Sequence, residues 1–187
     1  LLSLAVFIPV SGWVADRFGA RSTFITAIAV FLLGSLACAA SDSLGTLVAA
    51  RFLQGIGGAM MVPVGRLVLL RTVPKHELVQ ALSWLTIPAL VGPVVGPPLG
   101  GFITTYFDWR WIFLINLPMG ALGIALASRF IPDLREDAPP LDWTGFLLAG
   151  LGLSTAMFGF STLGRHLVPV WIAALTLVFG VAALVGY

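Results

Sequence analysis

Arg51 is the one charged side chain that stands well inside a long apolar run of this 187-residue sequence, and Gln54 follows it one helical turn later in RFLQGIGGAMMVP. Counting from Gly45 at about 1.5 Å per residue puts Arg51 roughly 9 Å along a helix that starts there. An arginine at that depth in a membrane is costly unless it faces protein or water, so it is a functional candidate by default. The competing reading is a side chain that snorkels to nearby headgroups. Gln54, Gly55 and Gly58 follow at i+3, i+4 and i+7, which gives Arg51 a small, polar face that does not suit lipid. Two other stretches carry a pattern. GWVADRFGAR sets Asp16, an acceptor, among the donors Arg17 and Arg21, with Gly12 for close packing of a helix end and Gly19 for a tight turn. PALVGPVVGPPLGGFITTY repeats glycine at Gly92, Gly96 and Gly100, with Gly101 beside the last, which predicts a smooth groove that admits a neighbouring helix. Pro93, Pro97 and Pro98 in the same stretch remove backbone donors, so that helix is expected to bend or loosen.

Other chemistries lack their parts. Cys38 is the only cysteine, and no cluster of Cys and His has metal spacing, so no metal, redox chemistry or cofactor is expected. The glycines at 55, 57 and 58 sit in an apolar helical run with no strand before them, unlike a nucleotide-binding turn, and no phosphate-binding loop for an ATP-driven pump is present. No enzymatic set of Ser with His or paired acids lies at membrane depth. Asn116 is polar and about a turn and a half beyond Trp111; lining a cavity and bonding a neighbouring backbone carbonyl are equally open to it. Asp142 fits a helix N-terminus, while Asp42, His76 and His166 read as solvated.

The elements that must carry these residues are membrane helices. Of the residues, 59% are hydrophobic and only 10% charged, with a mean hydropathy of +1.04, which excludes an ordinary soluble domain. The basic residues are scattered singly, so the net charge of +2 makes no nucleic-acid surface. Apolar segments fall at roughly 1–14, 22–41, 45–70, 79–106, 110–130, 143–163 and 168–187, seven expected spans joined by short polar breaks. The first and last runs read as cuts through a longer protein. Arg17, Arg21, Arg66, Arg71, Lys75, Arg129 and Arg135 fall at the first, third and fifth breaks, and only Arg110 and Arg165 at the others. The excess predicts that the charged loops 16–21, 71–77 and 129–142 are cytoplasmic. Trp109, Trp111 and Trp143 sit at span boundaries, as interfacial anchors do.

GWVADRFGAR resembles the signature cytoplasmic loop between spans two and three of the major facilitator superfamily, where it acts as a charge latch. RFLQGIGGAMMVP is similar to the family's span-four motif, whose arginine is implicated in proton coupling, and this resemblance assigns that role to Arg51 and Gln54. The Gly92 to Gly101 stretch resembles the span-five motif of antiporters and exporters. DWRWIFLINLPMG and the following PDLREDAPPLDWTGFLLAGLGLS resemble the fourteen-span drug and proton antiporters of the EmrB and QacA type. In RTVPKHELVQAL, Leu78 stands where that branch commonly has arginine, leaving Arg71 and Lys75 as substitutes in the latch.

The resemblance covers essentially the whole chain and implies an all-α polytopic bundle of the major facilitator fold. Residues 1–131 would be spans two to six of the N-terminal bundle, 132–142 a cytoplasmic connector, and 143–187 an extra pair, spans seven and eight. It implies a multi-pass protein of the inner membrane whose partners are the lipid bilayer, protons and a small-molecule substrate, with a periplasmic adaptor left open. No acid lies in the middle of a span, so the proton-binding acid is expected in a missing first span. A major facilitator carrier for another solute is the alternative.

Overall fold

The structure is a computed structural model that describes residues 2–163 and 168–185. Arg165 and His166, read from the sequence as part of an exposed break, lie outside the described residues. The described chain is helical: α1 (Leu2–Phe7), α2 (Ser11–Phe18), α3 (Ala20–Ala39), α4 (Leu44–Thr72), α5 (Leu78–Tyr106), α6 (Trp111–Leu114), α7 (Asn116–Phe130), α8 (Trp143–Thr162) and α9 (Val170–Val185). Five segments are long and apolar enough to cross a membrane, namely α3, α4, α5, Trp111–Phe130 across α6 and α7, and α8.

The other two expected spans are shorter. The first is interrupted between α1 and α2, at the turn that contains Pro9, which has no N–H to continue a helix. Ser11 N instead bonds Ile8 O at 3.2 Å, a three-residue step, and α2 then runs beyond the expected end at residue 14. The helix α9 has 16 residues, short of a full span.

Local chemistry fixes the helix starts. Ser43 caps α4 in a reciprocal capping box with Thr46, and the Asp142 carboxylate caps α8 by accepting from Gly145 N at 3.0 Å. Gly19 separates α2 from α3 at φ +92°, a left-handed conformation that strains any residue with a Cβ. The start of α5 has no side-chain cap.

Small residues bring backbones together, as helix association in lipid requires. A Cβ on Gly57 of α4 would stand 2.5 Å from Ala27 O and Phe31 N of α3, and one on Gly34 of α3 would stand 2.5 Å from the backbone of Gln54. The pair α8 and α9 is built likewise: a Cβ on Gly159 would meet Ala173 O at 2.7 Å. One face of α8 reaches α1, where Gly150 lies beside Val6.

Polar contacts at the helix ends sort into two sets, as antiparallel hairpins demand. At one end Arg71, in the last turn of α4, bonds Asp16 of α2 and Glu136 of the segment before α8. At the other, Arg110 bonds Asp42 at 3.2 Å and donates through Nε to Ala39 O at 2.9 Å, closing the carbonyl end of α3. The first, third and fifth breaks therefore meet at one end and the second and fourth at the other, the alternation expected from the spacing of the spans.

Candidate functional site

Arg51, Gln54 and Asn116, singled out on separate grounds, belong to one polar ladder across three helices. Arg51 Nη1 donates to Gln54 Oε1 at 3.0 Å. Gln54 Nε2 donates to Ser35 Oγ of α3 at 2.6 Å, and Asn116 Nδ2 at the start of α7 donates to the same oxygen at 3.1 Å. Ser35 is wholly buried and Gln54 is 5% exposed, so each needs these partners to offset its lost hydration. Asn116 thus bonds a buried hydroxyl rather than the backbone carbonyl considered from the sequence.

The Arg51 guanidinium also lies over the Phe113 ring, 4.5 Å from its centroid. Phe113 is 4% exposed and packs in a cluster with Cys38, Ala39 and Ala50, so the ring is a fixed platform. A cation over an aromatic face gains about 0.5–2 kcal/mol, more as water is withdrawn. The side chain bonds Gln54 one turn along its own helix and lies over Phe113 of α6, although Arg51 as a residue is exposed in the described bundle. Its small face is real: Gly55 lies against Ser3 of α1 and Gly58 against the Phe31 ring.

The second candidate cluster differs from its expected form. Asp16 bonds Arg71 at 2.8 Å, and among the described residues neither Arg17 nor Arg21 pairs with it. The reason is geometric: α2 ends at Phe18, and the Gly19 turn carries α3 away, so the carboxylate faces the end of α4. Arg71 Nε also bonds Glu136 at 3.1 Å, while Arg17 borders a polar recess with Arg135, Glu136 and Asp137. Of the two substitutes named for Leu78, Arg71 makes the pair; Lys75 makes none among the described residues.

The segment 132–142 lies across this end as a strap. Ala20 N donates to Leu134 O at 2.9 Å and Glu136 N to Asp16 O at 3.2 Å, and Trp13 Nε1 donates to Pro139 O at 2.7 Å. A side chain at Gly19 would collide with Asp133 and Arg135 of the strap, so Gly19 is required for both its φ and its packing. Ser11 and Ala15 are the buried residues of α2, and among the described residues nothing lies within 4 Å of a Cβ on Gly12.

The third candidate, the Gly92 to Gly101 face, stands open. Nothing among the described residues approaches within 4 Å of a Cβ at Gly92, Gly96, Gly100 or Gly101, and α5 has no buried residue. The expected close neighbour is therefore absent from the described bundle. The helix is also continuous through Pro88, Pro93, Pro97 and Pro98; a proline costs its own hydrogen bond, and the helix carries on past each one.

Three contributors escaped the sequence reading. Ser35 is one hydroxyl in a long apolar run, Phe113 one of 13 phenylalanines, and Glu136 one acid in a charged connector. The 35/54 and 35/116 pairings are long-range, and no helical period could have linked them.

This arrangement, a bundle of apolar helices with a polar ladder across three of them and a charge clasp at one end, agrees with the sequence comparisons. The chain matches the Major Facilitator Superfamily across residues 1–187 and belongs to it. It is 45% identical, over its full length and 39% of the relative, to a protein of Serratia proteamaculans whose name carries the words multidrug resistance protein MdtD. A protein of the same name from Escherichia coli is 45% identical over 40% of its length. One from Haemophilus influenzae, named as a transport protein, HsrA, is 44% identical over 40% of its length. The chain spans about two-fifths of the length of these curated relatives. Its family and apolar helices make it part of an integral multi-pass membrane protein.

Proposed function

We propose that the whole protein exports small amphipathic compounds in exchange for protons, and that Arg51 with Gln54 forms its coupling element. The observation that carries this reading is the ladder itself: an arginine in a membrane-length apolar helix held by a neutral amide and an aromatic face, with no carboxylate in contact among the described residues. A guanidinium so held can exchange a neutral partner for a carboxylate whenever one nearby loses its proton. Each of the chain's acids lies near a helix end or in a connection, so the proton carrier belongs to another part of the whole protein. Protonation there releases Arg51 to Gln54; deprotonation draws it away, and the two facing states differ in which partner it has. The names of the relatives favour drugs as substrates.

In this reading residues 1–131 form five spans of the N-terminal bundle, 132–142 a cytoplasmic connector and 143–187 an additional pair. Asp16, Arg71 and Glu136 form the cytoplasmic latch, with Gly12, Arg17, Gly19 and Arg21 in its loop. Gly92, Pro93, Gly96, Pro97, Gly100 and Gly101 present a contact face for the other half. The full-length protein in vesicles with an imposed pH gradient gives the test. Wild type should move a fluorescent cationic drug against its gradient and move protons the opposite way, and Arg51→Ala should abolish both. Undiminished pH-driven drug movement in Arg51→Ala would remove Arg51 from coupling. Uptake in place of efflux would favour a carrier for another solute, a reading the general name of the Haemophilus relative also admits.

A further inference from the structure

We infer that Ser35 is a positioning residue for Arg51, acting through Gln54, and that it makes the grip on the guanidinium depend on α3 and α7 as well as α4. The inference rests on the coupling role proposed for Arg51. Its ground is the stoichiometry of one hydroxyl. Ser35 Oγ has two lone pairs and one proton, and the two amide groups, Gln54 Nε2 at 2.6 Å and Asn116 Nδ2 at 3.1 Å, take both lone pairs. The first of these bonds decides which way the Gln54 amide faces. With its nitrogen committed to Ser35, its oxygen is turned toward Arg51 Nη1.

Packing removes the alternatives. Gly34, the residue before Ser35, lies so close to Gln54 that a Cβ there would stand 2.5 Å from the Gln54 backbone. The two helices are in backbone contact at this level, which holds the Gln54 amide beside Ser35. Without the Ser35 oxygen, a buried amide N–H group would be stranded. The amide would then turn to recover a partner, and its oxygen would leave the guanidinium. Asn116 joins α7 to the same oxygen, and Phe113, three residues earlier, lies beneath the guanidinium. The arginine thus meets Gln54 on one side and the Phe113 ring on the other, and its contact with Gln54 runs through the serine.

The consequence has a sign. Losing the Ser35 oxygen weakens the neutral partner of Arg51, so the guanidinium is more available to a carboxylate. A cation near a carboxylate favours its ionised form, so the pH at which coupled transport is half-maximal should fall.

The test uses the full-length protein in vesicles. Drug-dependent proton flux is measured across external pH for wild type, Ser35→Ala, Gln54→Leu and the double variant, with drug Kd and melting temperature recorded for each. Ser35→Ala should bind drug with Kd within about twofold of wild type and shift the half-maximal pH downward by about half a unit or more. Gln54→Leu should shift it in the same direction, and the double variant should shift it no further than Gln54→Leu alone, because both residues act along one path. Ser35→Thr, which keeps the hydroxyl, should restore the wild-type profile. If Ser35→Ala does not accumulate, Ser35→Cys fills the space with a poorer acceptor and should give the same acid shift. An unchanged profile in a folded Ser35→Ala or Ser35→Cys, or additive shifts in the double variant, would overturn the role of Ser35 and leave that of Arg51 standing. A wild type whose transport ignores pH would overturn both.

Discussion

The helices α4 and α5 have the same length, 29 residues, the same reliance on glycine, and opposite fates. In α4 the glycines beyond Gly45 are met from outside: Gly55 by Ser3, Gly57 by the α3 backbone, Gly58 by Phe31 and Gly65 by Phe24. In α5, Gly92, Gly96, Gly100 and Gly101 meet nothing within 4 Å among the described residues, although their spacing is the more regular. A stripe of small residues is thus an offer of close approach, and its own sequence does not say who accepts. What distinguishes α4 is a partner with complementary small residues close in the chain, α3 with Ala27, Gly34 and Ser35, joined to it by a short connection.

This contrast can be broken most severely at Gly57. A Gly57→Leu substitution drives a side chain into the α3 backbone, where no rotamer change gives relief, and should lie at the upper end of the about 1–3 kcal/mol of overpacking. The outcome should be loss of the monodisperse peak of the full-length protein in detergent size-exclusion chromatography. Helix starts sharpen the same comparison with a smaller effect. Ser43→Ala removes the capping box of α4 and should cost about 1 kcal/mol, read as a lower melting temperature, whereas Glu77→Ala at the uncapped start of α5 should change little.

At the open face the sign reverses. Gly96→Ala meets no atom of the described residues within 4 Å and replaces a poor helix former, so stability should stay level or rise by up to about 1 kcal/mol, read as an unchanged or higher melting temperature. Lost transport with unimpaired melting would mean that another part of the whole protein uses this face during its cycle. The smallest effect concerns the other capped helix, α8. Hydrogen bonds from Gly145 N and from the Thr144 hydroxyl hold the Asp142 carboxyl below its ordinary value of 3.8. A depressed carboxylate contributes stability that is fully present above its unfolded value and is lost as pH falls through the folded one. Protection factors for hydrogen exchange in the first turn of α8 should therefore fall only at pH below 3.8, whereas those at the Ser43 cap of α4 should show no such dependence.

The sequence was legible where the signal is local. Apolar runs and short polar breaks marked the helices, and the asymmetry of Arg and Lys grouped the breaks as the structure joins them. Arg51 and Gln54 were legible because a polar pair one turn apart in an apolar run is conspicuous. Partners across helices were not. Asp16 was expected among Arg17 and Arg21, its neighbours in the chain, and instead bonds Arg71, brought over by the return of α4. Gly12 was read with Gly19 as part of one loop, yet only Gly19 has a crowded surrounding. Periodicity reports the face a residue shares, whereas pairing depends on where other helices lie.

The indole of Trp13, tied to the Pro139 carbonyl, has a use beyond holding the strap. Indole fluorescence responds to hydrogen bonding and local polarity, so this residue is a built-in optical gauge of whether segment 132–142 is seated against α2. Subtracting the spectrum of Trp13→Phe isolates its emission from that of the other five tryptophans. Substrate and pH could then be added while the strap is watched directly, with no dye attached to the protein.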